Sequence, residues 1–217
     1  MNCIVTAGPT FEPLDNVRRL TNFSTGRLGT ELANFLAARG HHVTLLIGEG
    51  ATYAGDRRAQ AVKTFSTTAD LRAKLKSFRG KKVDAIFHAA AVSDFTFGQI
   101  FCENQTGEFS ALKPSKKIST RQGALLAELV PTPKIIAELR GWFPRTKIVG
   151  WKFEADGARA TTLRAARKQI ADCATDFCVA NGPAYGEGFN LVSAYAQQHF
   201  ATGVKLFAAL EKVLASA

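Results

Sequence analysis

Ser24, Thr25 and Gly26 stand together just ahead of a run in which Leu28, Leu32, Phe35 and Leu36 recur at helical spacing. Hydroxyls and a glycine at a helix N-terminus form an anion site, with free backbone N–H groups outward and the positive end of the dipole behind them. Gly26 and Gly29 would let a ligand approach the backbone closely. The competing reading is a glycine used only to pack helix on strand. A second chemically suggestive stretch is Ala89-Ala90-Ala91-Val92-Ser93-Asp94, where small residues at a strand end leave room for a ligand at the sheet edge. Taken alone, Asp94 could equally cap a helix, and Lys116-Lys117 could be a solvated basic loop.

These groups need a scaffold, and the pattern supplies one. Cys3-Ile4-Val5 reads as a buried strand, a polar connection of about twenty residues follows, then the helix from Leu28 with Gly40 at its end, then strand Val43-Thr44-Leu45-Leu46-Ile47. That is one βαβ unit. Neither G-x-G-x-x-G nor G-x-x-x-x-G-K-[ST] occupies the first turn. Further on, Val62–Phe65 reads as a short strand, and Thr67 caps a helix with Leu71, Leu75 and Phe78 on one face that ends at Gly80. Val83–His88 is the next strand. Residues 96–115 lack a period, and Gly98, Asn104, Gly107 and Pro114 mark a loop or hairpin.

Leu125–Val130 reads as a strand, and Thr132-Pro133 as a helix start with threonine as cap and proline at the first helical position. Ile135, Ile136 and Leu139 give that helix its core face. Strand Lys147–Val149 leads into Gly150-Trp151-Lys152-Phe153-Glu154. Helix 157–171 turns Leu163, Ala166 and Ile170 inward and Arg159, Arg164, Arg167 and Lys168 outward. Strand Phe177–Ala180 meets Asn181, residues 190–200 form a hairpin, and a helix over 203–215 closes the chain. The expected fold is α/β and Rossmann-like: one domain over 1–217, a largely parallel sheet flanked by helices, and a long active-site loop or flap.

Composition narrows the function. The 217 residues are 46% hydrophobic, ordinary for one globular domain. No apolar run is long enough to span a membrane, and the chain opens on a strand with no charged-then-apolar leader, so a cytoplasmic protein is expected. Cys3, Cys102, Cys173 and Cys178 lack C-x-x-C spacing, and the four histidines lack metal-ligand spacing. Cys3 and Cys178 lie in apparent core strands, so inert buried thiols are expected, without a metal cage made only of protein groups. The net charge of +10 suits phosphate-bearing ligands. Aromatic residues do not alternate with basic ones, so no nucleic-acid module is signalled.

TAGPTFEPLDNVRRLTNFSTGRLG, residues 6–29, resembles the opening of phosphopantothenate–cysteine ligase (phosphopantothenoylcysteine synthetase), the ligase domain of the DNA/pantothenate metabolism flavoprotein family. The family shows a TAGGT or TAGPT turn, then E-P-[IL]-D-x-V-R, then [ST]-N-x-S-[ST]-G-x-[ML]-G. Ala89–Phe95 is similar to its A-A-A-V-[AS]-D-[YF], Lys117-Ile118-Ser119 to its K-[IL]-x-[KS], and Ala180-Asn181 with Gly188-Phe189 to its [VA]-A-N and G-F. Lys116 is one slip from Lys117.

The resemblance implies that 4′-phosphopantothenate is joined to L-cysteine through an acyl-nucleotidylate made from CTP or ATP, with Mg²⁺ and without a tightly bound flavin. It places Gly8, Ser24, Thr25, Gly26, Ala90, Asp94, Lys117, Lys152 and Asn181 at the nucleotide and Arg18, Asn22 and Ala91 at the substrate. Asn22 and Lys117 take catalytic roles, and Asp94 helps hold the metal or its waters. It further implies a homodimer and leaves a separate phosphopantothenoylcysteine decarboxylase as a candidate partner. Two departures bear on the nucleotide. Thr132-Pro133-Lys134 replaces N-P-D, and Gly150-Trp151-Lys152-Phe153-Glu154 replaces G-F-A-A-E-T, with a lysine as in the ATP-using eukaryotic enzymes.

Two other classes compete. Glu49 lies where an NAD(P)-dependent reductase would bind ribose, yet Tyr53, Tyr185 and Tyr195 are followed four residues on by Arg57, Phe189 and His199, so Tyr-x-x-x-Lys is missing. The other class is a non-catalytic nucleotide or flavin binder, against which the joint presence of Asn22 and Lys117 argues.

Overall fold

A computed structural model describes residues 1–104, 107–112, 117–119 and 123–215. The apolar run at the N-terminus is β1 (Asn2–Ala7), at the centre of an eight-stranded sheet. On one side it pairs in parallel with β4 (His42–Gly48), which pairs with β5 (Ala61–Phe65). On the other it pairs in parallel with β6 (Ala85–His88), followed by β10 (Lys147–Phe153) and β11 (Phe177–Asn181). The hairpin of β12 (Phe189–Val192) and β13 (Gln197–Phe200) finishes this edge antiparallel, as the sequence predicts. The chain thus builds outward from β1 in one direction, then returns to build in the other. The reversal lies between β1 and β6, the place where open α/β sheets bind ligands beyond their strand C-termini.

Strand alternation decides which helices cover which face. Cys3, Val5 and Ala7 pack with α1 (Arg27–Ala38) and α5 (Gly203–Ala215) through Leu32, Leu36, Leu206 and Leu210. Ile4 points the other way, with Ile86 and Ile148, towards α2 (Thr68–Lys76) and α3 (Ile135–Trp142). The last helix, α4 (Arg159–Cys173), seats Ala166 and Ile170 on Cys178 and Ala180. Cys3, Cys173 and Cys178 are buried, and burial pushes the Cys3 thiol up to about 11 and that of Cys178 to about 12. They are structural thiols.

Three local readings change. The polar connection after β1 contains an antiparallel ribbon, β2 (Phe11–Pro13) with β3 (Arg19–Thr21), too short to leave a periodic signal. A separate three-stranded sheet forms in which β7 (Phe95–Glu103) pairs antiparallel with β8 (Phe109–Ala111) and β9 (Leu125–Pro131). Finally, α3 is capped at Lys134, not Thr132. Thr132 instead donates its hydroxyl to the Ser93 carbonyl and its N–H to that of Asp94, tying the start of α3 to the turn after β6. Arg159 is exposed, as expected of the outward face, and its guanidinium donates to the Tyr185 hydroxyl at 2.7 Å and lies over that ring.

Candidate functional site

The site grows from the C-terminal ends of β1 and β6. Beyond them the two chains stay side by side: Ala91 N–H donates to Gly8 O, and Thr10 N–H donates to Ala91 O, at 3.0 and 3.1 Å. Asn22 lies over this joint, its Nδ2 donating to Ala91 O at 3.2 Å. Thr10 anchors the crossing from beneath. Its hydroxyl donates to Ser93 Oγ and accepts from Ser93 N–H, and it lies 3.2 Å from Thr68 Oγ1. All three of these side chains are buried. A hydroxyl chain thus joins the β1 turn, α2 and the 93–94 turn, and Thr132 extends it to α3.

The N-terminus of α1 closes this crevice. Its cap, Gly26, has φ 79°, makes no side-chain cap bond and has no acid in the following turn, so the dipole's positive end is not neutralised within the helix. Gly26 packs against Gly8, itself at φ 76°: a Cβ on Gly26 would lie 3.3 Å from Gly8 Cα and 3.0 Å from Ala51 Cβ. The expectation for Gly29 is corrected. A Cβ there would stand 2.6 Å from Ala7 Cβ, so this glycine serves close packing of α1 on β1 and not ligand approach. Thr25 accepts Arg27 N–H through its hydroxyl and Tyr53 N–H through its carbonyl, which holds the loop against the β4 side.

Beside the crevice lies a cleft of about 520 Å³ between the ends of β6 and β10, the 131–134 turn and α4. Ala90, Asp94 and Lys152, expected at the nucleotide, line it. Lys134 and Lys168 bring further positive charge, and Glu154 and Asp172 oppose it. Lys152 pairs with Glu154 at 3.1 Å and Lys168 with Asp172 at 2.9 Å. Lys134 makes no ion pair among the described residues.

His88 also lines the cleft, and sequence reasoning passed it over because no partner stands at a telling spacing. It is buried; its Nδ1 lies 3.0 Å from Thr6 Oγ1, which also accepts Ala90 N–H. Burial pushes its pKa down to about 4. It is therefore a neutral ring at pH 7, with hydrogen-bonding capacity but no charge.

The remaining expected residues fall into two further places. Asn181 ends β11, its carbonyl accepting Glu154 N–H, and its Oδ1 is buried with no hydrogen-bond partner among the described residues. At the β2–β3 turn Arg18 pairs with Asp15 and donates Nη2 to Ile118 O at 2.8 Å, next in the chain to Lys117. Lys117 is exposed, and Lys116 lies outside the described residues. The structure therefore gathers Gly8, Asn22, Ser24, Thr25, Gly26 and Ala91 at the crevice, and Ala90, Asp94 and Lys152 in the adjoining cleft.

For a divalent cation, no cluster of three or more His, Cys, Asp or Glu exists among the described residues. Asp94 is an exposed carboxylate at the cleft. One carboxylate plus ligand phosphates is a sufficient donor set for Mg²⁺, which keeps several of its waters, so the residues present fit that ion and do not form a protein cage. Among the described residues no helix is long and apolar enough to cross a membrane.

The family model described as the DNA/pantothenate metabolism flavoprotein C-terminal domain matches residues 1–205. The coenzyme A biosynthesis bifunctional protein CoaBC of Thermococcus kodakarensis is 35% identical over 178 residues, which cover 82% of this chain and 40% of that protein. The chain thus spans less than half the length of that relative. Among solved structures, the DNA/pantothenate metabolism flavoprotein from Streptococcus pneumoniae superposes with a TM-score of 0.85 at 26% identity, covering 100% of both chains. A Cab2 variant in complex with phosphopantothenate-cysteine shares the fold, with a TM-score of 0.73 at 19% identity over 99% of this chain and 87% of that one.

Proposed function

The chain belongs to the DNA/pantothenate metabolism flavoprotein C-terminal domain family, and from that premise we propose that it ligates 4′-phosphopantothenate to L-cysteine. A carboxylate oxygen is a poor leaving group, so the acid must first be activated. The phosphopantothenate carboxylate attacks the α-phosphate of a nucleoside triphosphate, forming an acyl–phosphate bond and breaking the bond to pyrophosphate, which leaves. The cysteine amine then attacks the acyl carbon, loses a proton and expels nucleoside monophosphate. The product is 4′-phosphopantothenoylcysteine.

Such a reaction calls mainly for fixed charge and oriented donors. In this reading Ser24, Thr25 and the N–H groups at Gly26 bind phosphate oxygens, and Lys117 adds positive charge. Ala90, Lys152 and Asn181 hold the rest of the nucleotide. Gly8 allows the turn that brings these parts together, and Ala91 and Arg18 belong to the substrate side. Asp94 would hold Mg²⁺ or its waters, and the ion would supply neutralisation of phosphate charge. Asn22, fixed through Nδ2 on Ala91 O, has Oδ1 to accept from the cysteine amine and a second N–H to donate to the acyl oxygen. We further propose a homodimer, testable by sedimentation at micromolar concentration, and a decarboxylase that takes up the product, as a separate chain or a fused one.

The observation that carries this reading is the hydrogen bond between Asn22 and Ala91 O, which joins the two sequence motifs at the reversal point of the sheet. The test is pyrophosphate release. It should require both phosphopantothenate and nucleotide. Release with nucleotide alone, or none with both, would overturn the assignment.

A further inference from the structure

Asp15 sits in the turn between β2 and β3, and its side chain is fully shielded from solvent. Its Oδ1 accepts the N–H groups of Val17 and Arg18 at 2.9 and 2.8 Å, which shapes the turn. Its Oδ2 accepts the Arg18 guanidinium and, at 3.0 Å, the N–H of Ile118, a residue 103 positions away. Arg18 completes the grip by donating Nη2 to Ile118 O. Both backbone groups of Ile118 are therefore held by one ion pair, much as a neighbouring strand would hold them. Ile118 is buried at 4% exposure, while Lys117 and Ser119 on either side are exposed.

An alternative use of these residues would be simple closure of the β2–β3 turn. The Oδ1 contacts already accomplish that. The Oδ2 and Nη2 contacts to Ile118 add nothing to the turn, and their effect falls on the segment that carries Lys117. The guanidinium and the donated N–H groups hold the Asp15 carboxyl well below the usual carboxylate range. The clasp therefore stays charged across the working pH range.

We propose that Asp15 is the positioning residue for Lys117: with Arg18 it clamps Ile118 and so fixes where the Lys117 ammonium is presented. This rests on the assignment of Lys117 to the nucleotide phosphates. A flexible lysine amine placed by a rigid neighbour loses less freedom on binding than one on a loose loop. Arg18 lies four residues before Asn22, so one short ribbon positions both the lysine and the amide.

The test uses the full chain as wild type, Asp15→Asn, Lys117→Ala and the double variant. Amide hydrogen exchange, which needs no activity, should show Ile118 exchanging roughly tenfold faster or more in Asp15→Asn, with Val5 of the central strand unchanged. Pyrophosphate release at saturating substrates should slow in Asp15→Asn with the KM for cysteine unchanged, and the double variant should be no slower than Lys117→Ala. Unchanged Ile118 exchange would overturn the clamp. A double variant several-fold slower than Lys117→Ala would overturn the link to Lys117. A wild type without pyrophosphate release would count against the ligase reading, and the exchange result would still decide the clamp. If Asp15→Asn does not fold, Asp15→Ser, whose hydroxyl can still accept the turn N–H groups while the oxygen that holds Ile118 N–H is gone, carries the same two expectations.

Discussion

Asn22 and Ala91 are 69 residues apart in the chain, yet the Asn22 amide donates to the Ala91 carbonyl at 3.2 Å across the point where the sheet reverses direction. The carbonyl already accepts Thr10 N–H, so the amide adds little to the hold between the two turns and is itself exposed. Its placement, more than its contribution to stability, is what the contact secures.

Asn22→Asp therefore separates activity from folding. A carboxylate cannot donate to Ala91 O and would place negative charge beside an anionic intermediate. Ligase turnover should fall by roughly tenfold or more, with the thermal midpoint nearly unchanged. Wild-type turnover in this variant would remove Asn22 from the mechanism.

Lys117→Ala should slow pyrophosphate release more than Lys116→Ala. A charge held beside phosphates is worth more than one on a wet loop, and Lys117 adjoins the clamped Ile118. Equal effects, or a larger one at Lys116, would reassign the lysine.

Thr10→Val keeps the shape of a buried side chain and deletes its hydroxyl. Ser93 N–H then loses its acceptor at 2.8 Å. Leaving a buried donor unpaired costs about 1–3 kcal/mol, so urea unfolding should show a loss of that size. A change near zero would mean that another group takes over the bond.

His88 predicts an acid-side loss of stability. Its pKa falls from an ordinary 6.5 to about 4 in the folded chain. Below pH 6.5 the unfolded chain binds a proton that the folded one refuses, so the contribution is intact above 6.5 and is lost as pH falls towards 4. Between pH 7 and pH 5 this amounts to about 2 kcal/mol. His88→Asn, whose amide can still meet the Thr6 hydroxyl, should flatten that part of the profile. An unchanged slope in the variant would assign it to carboxylates instead.

ATP should support activity at least as well as CTP. Lys134 and Lys152, the two departures from the motifs that bear on the nucleotide, line the same cleft. An ammonium cannot accept a hydrogen bond from the cytosine amine as a carboxylate can. Measured kcat/KM values favouring CTP by about a hundredfold, roughly 2.7 kcal/mol, would show that these lysines do not report nucleotide choice.

Sequence by itself determined the parts of this protein whose signal is local. A short apolar run such as Ile4-Val5 or Leu45-Leu46-Ile47, bounded by turn residues, reads as a buried strand, and the spacing of Leu32 and Leu36 reads as one helix face. The central βαβ unit, α2, the closing hairpin and α5 were legible for that reason, and so were the glycine-bearing turns and the motifs at both ends of the reversal point. Tertiary structure decided the rest. β7 and β9 carry many exposed residues and find each other across the β8 hairpin, so no window contains their pairing. Asp15 reads as an ordinary turn acid until Ile118 arrives from far along the chain, and His88 as an ordinary histidine until burial strips its solvent. Gly29 shows its purpose only against Ala7. In each case the deciding energy comes from a neighbour distant in sequence, through desolvation, a hydrogen bond or contact between atoms, and composition or spacing does not encode where that neighbour will lie.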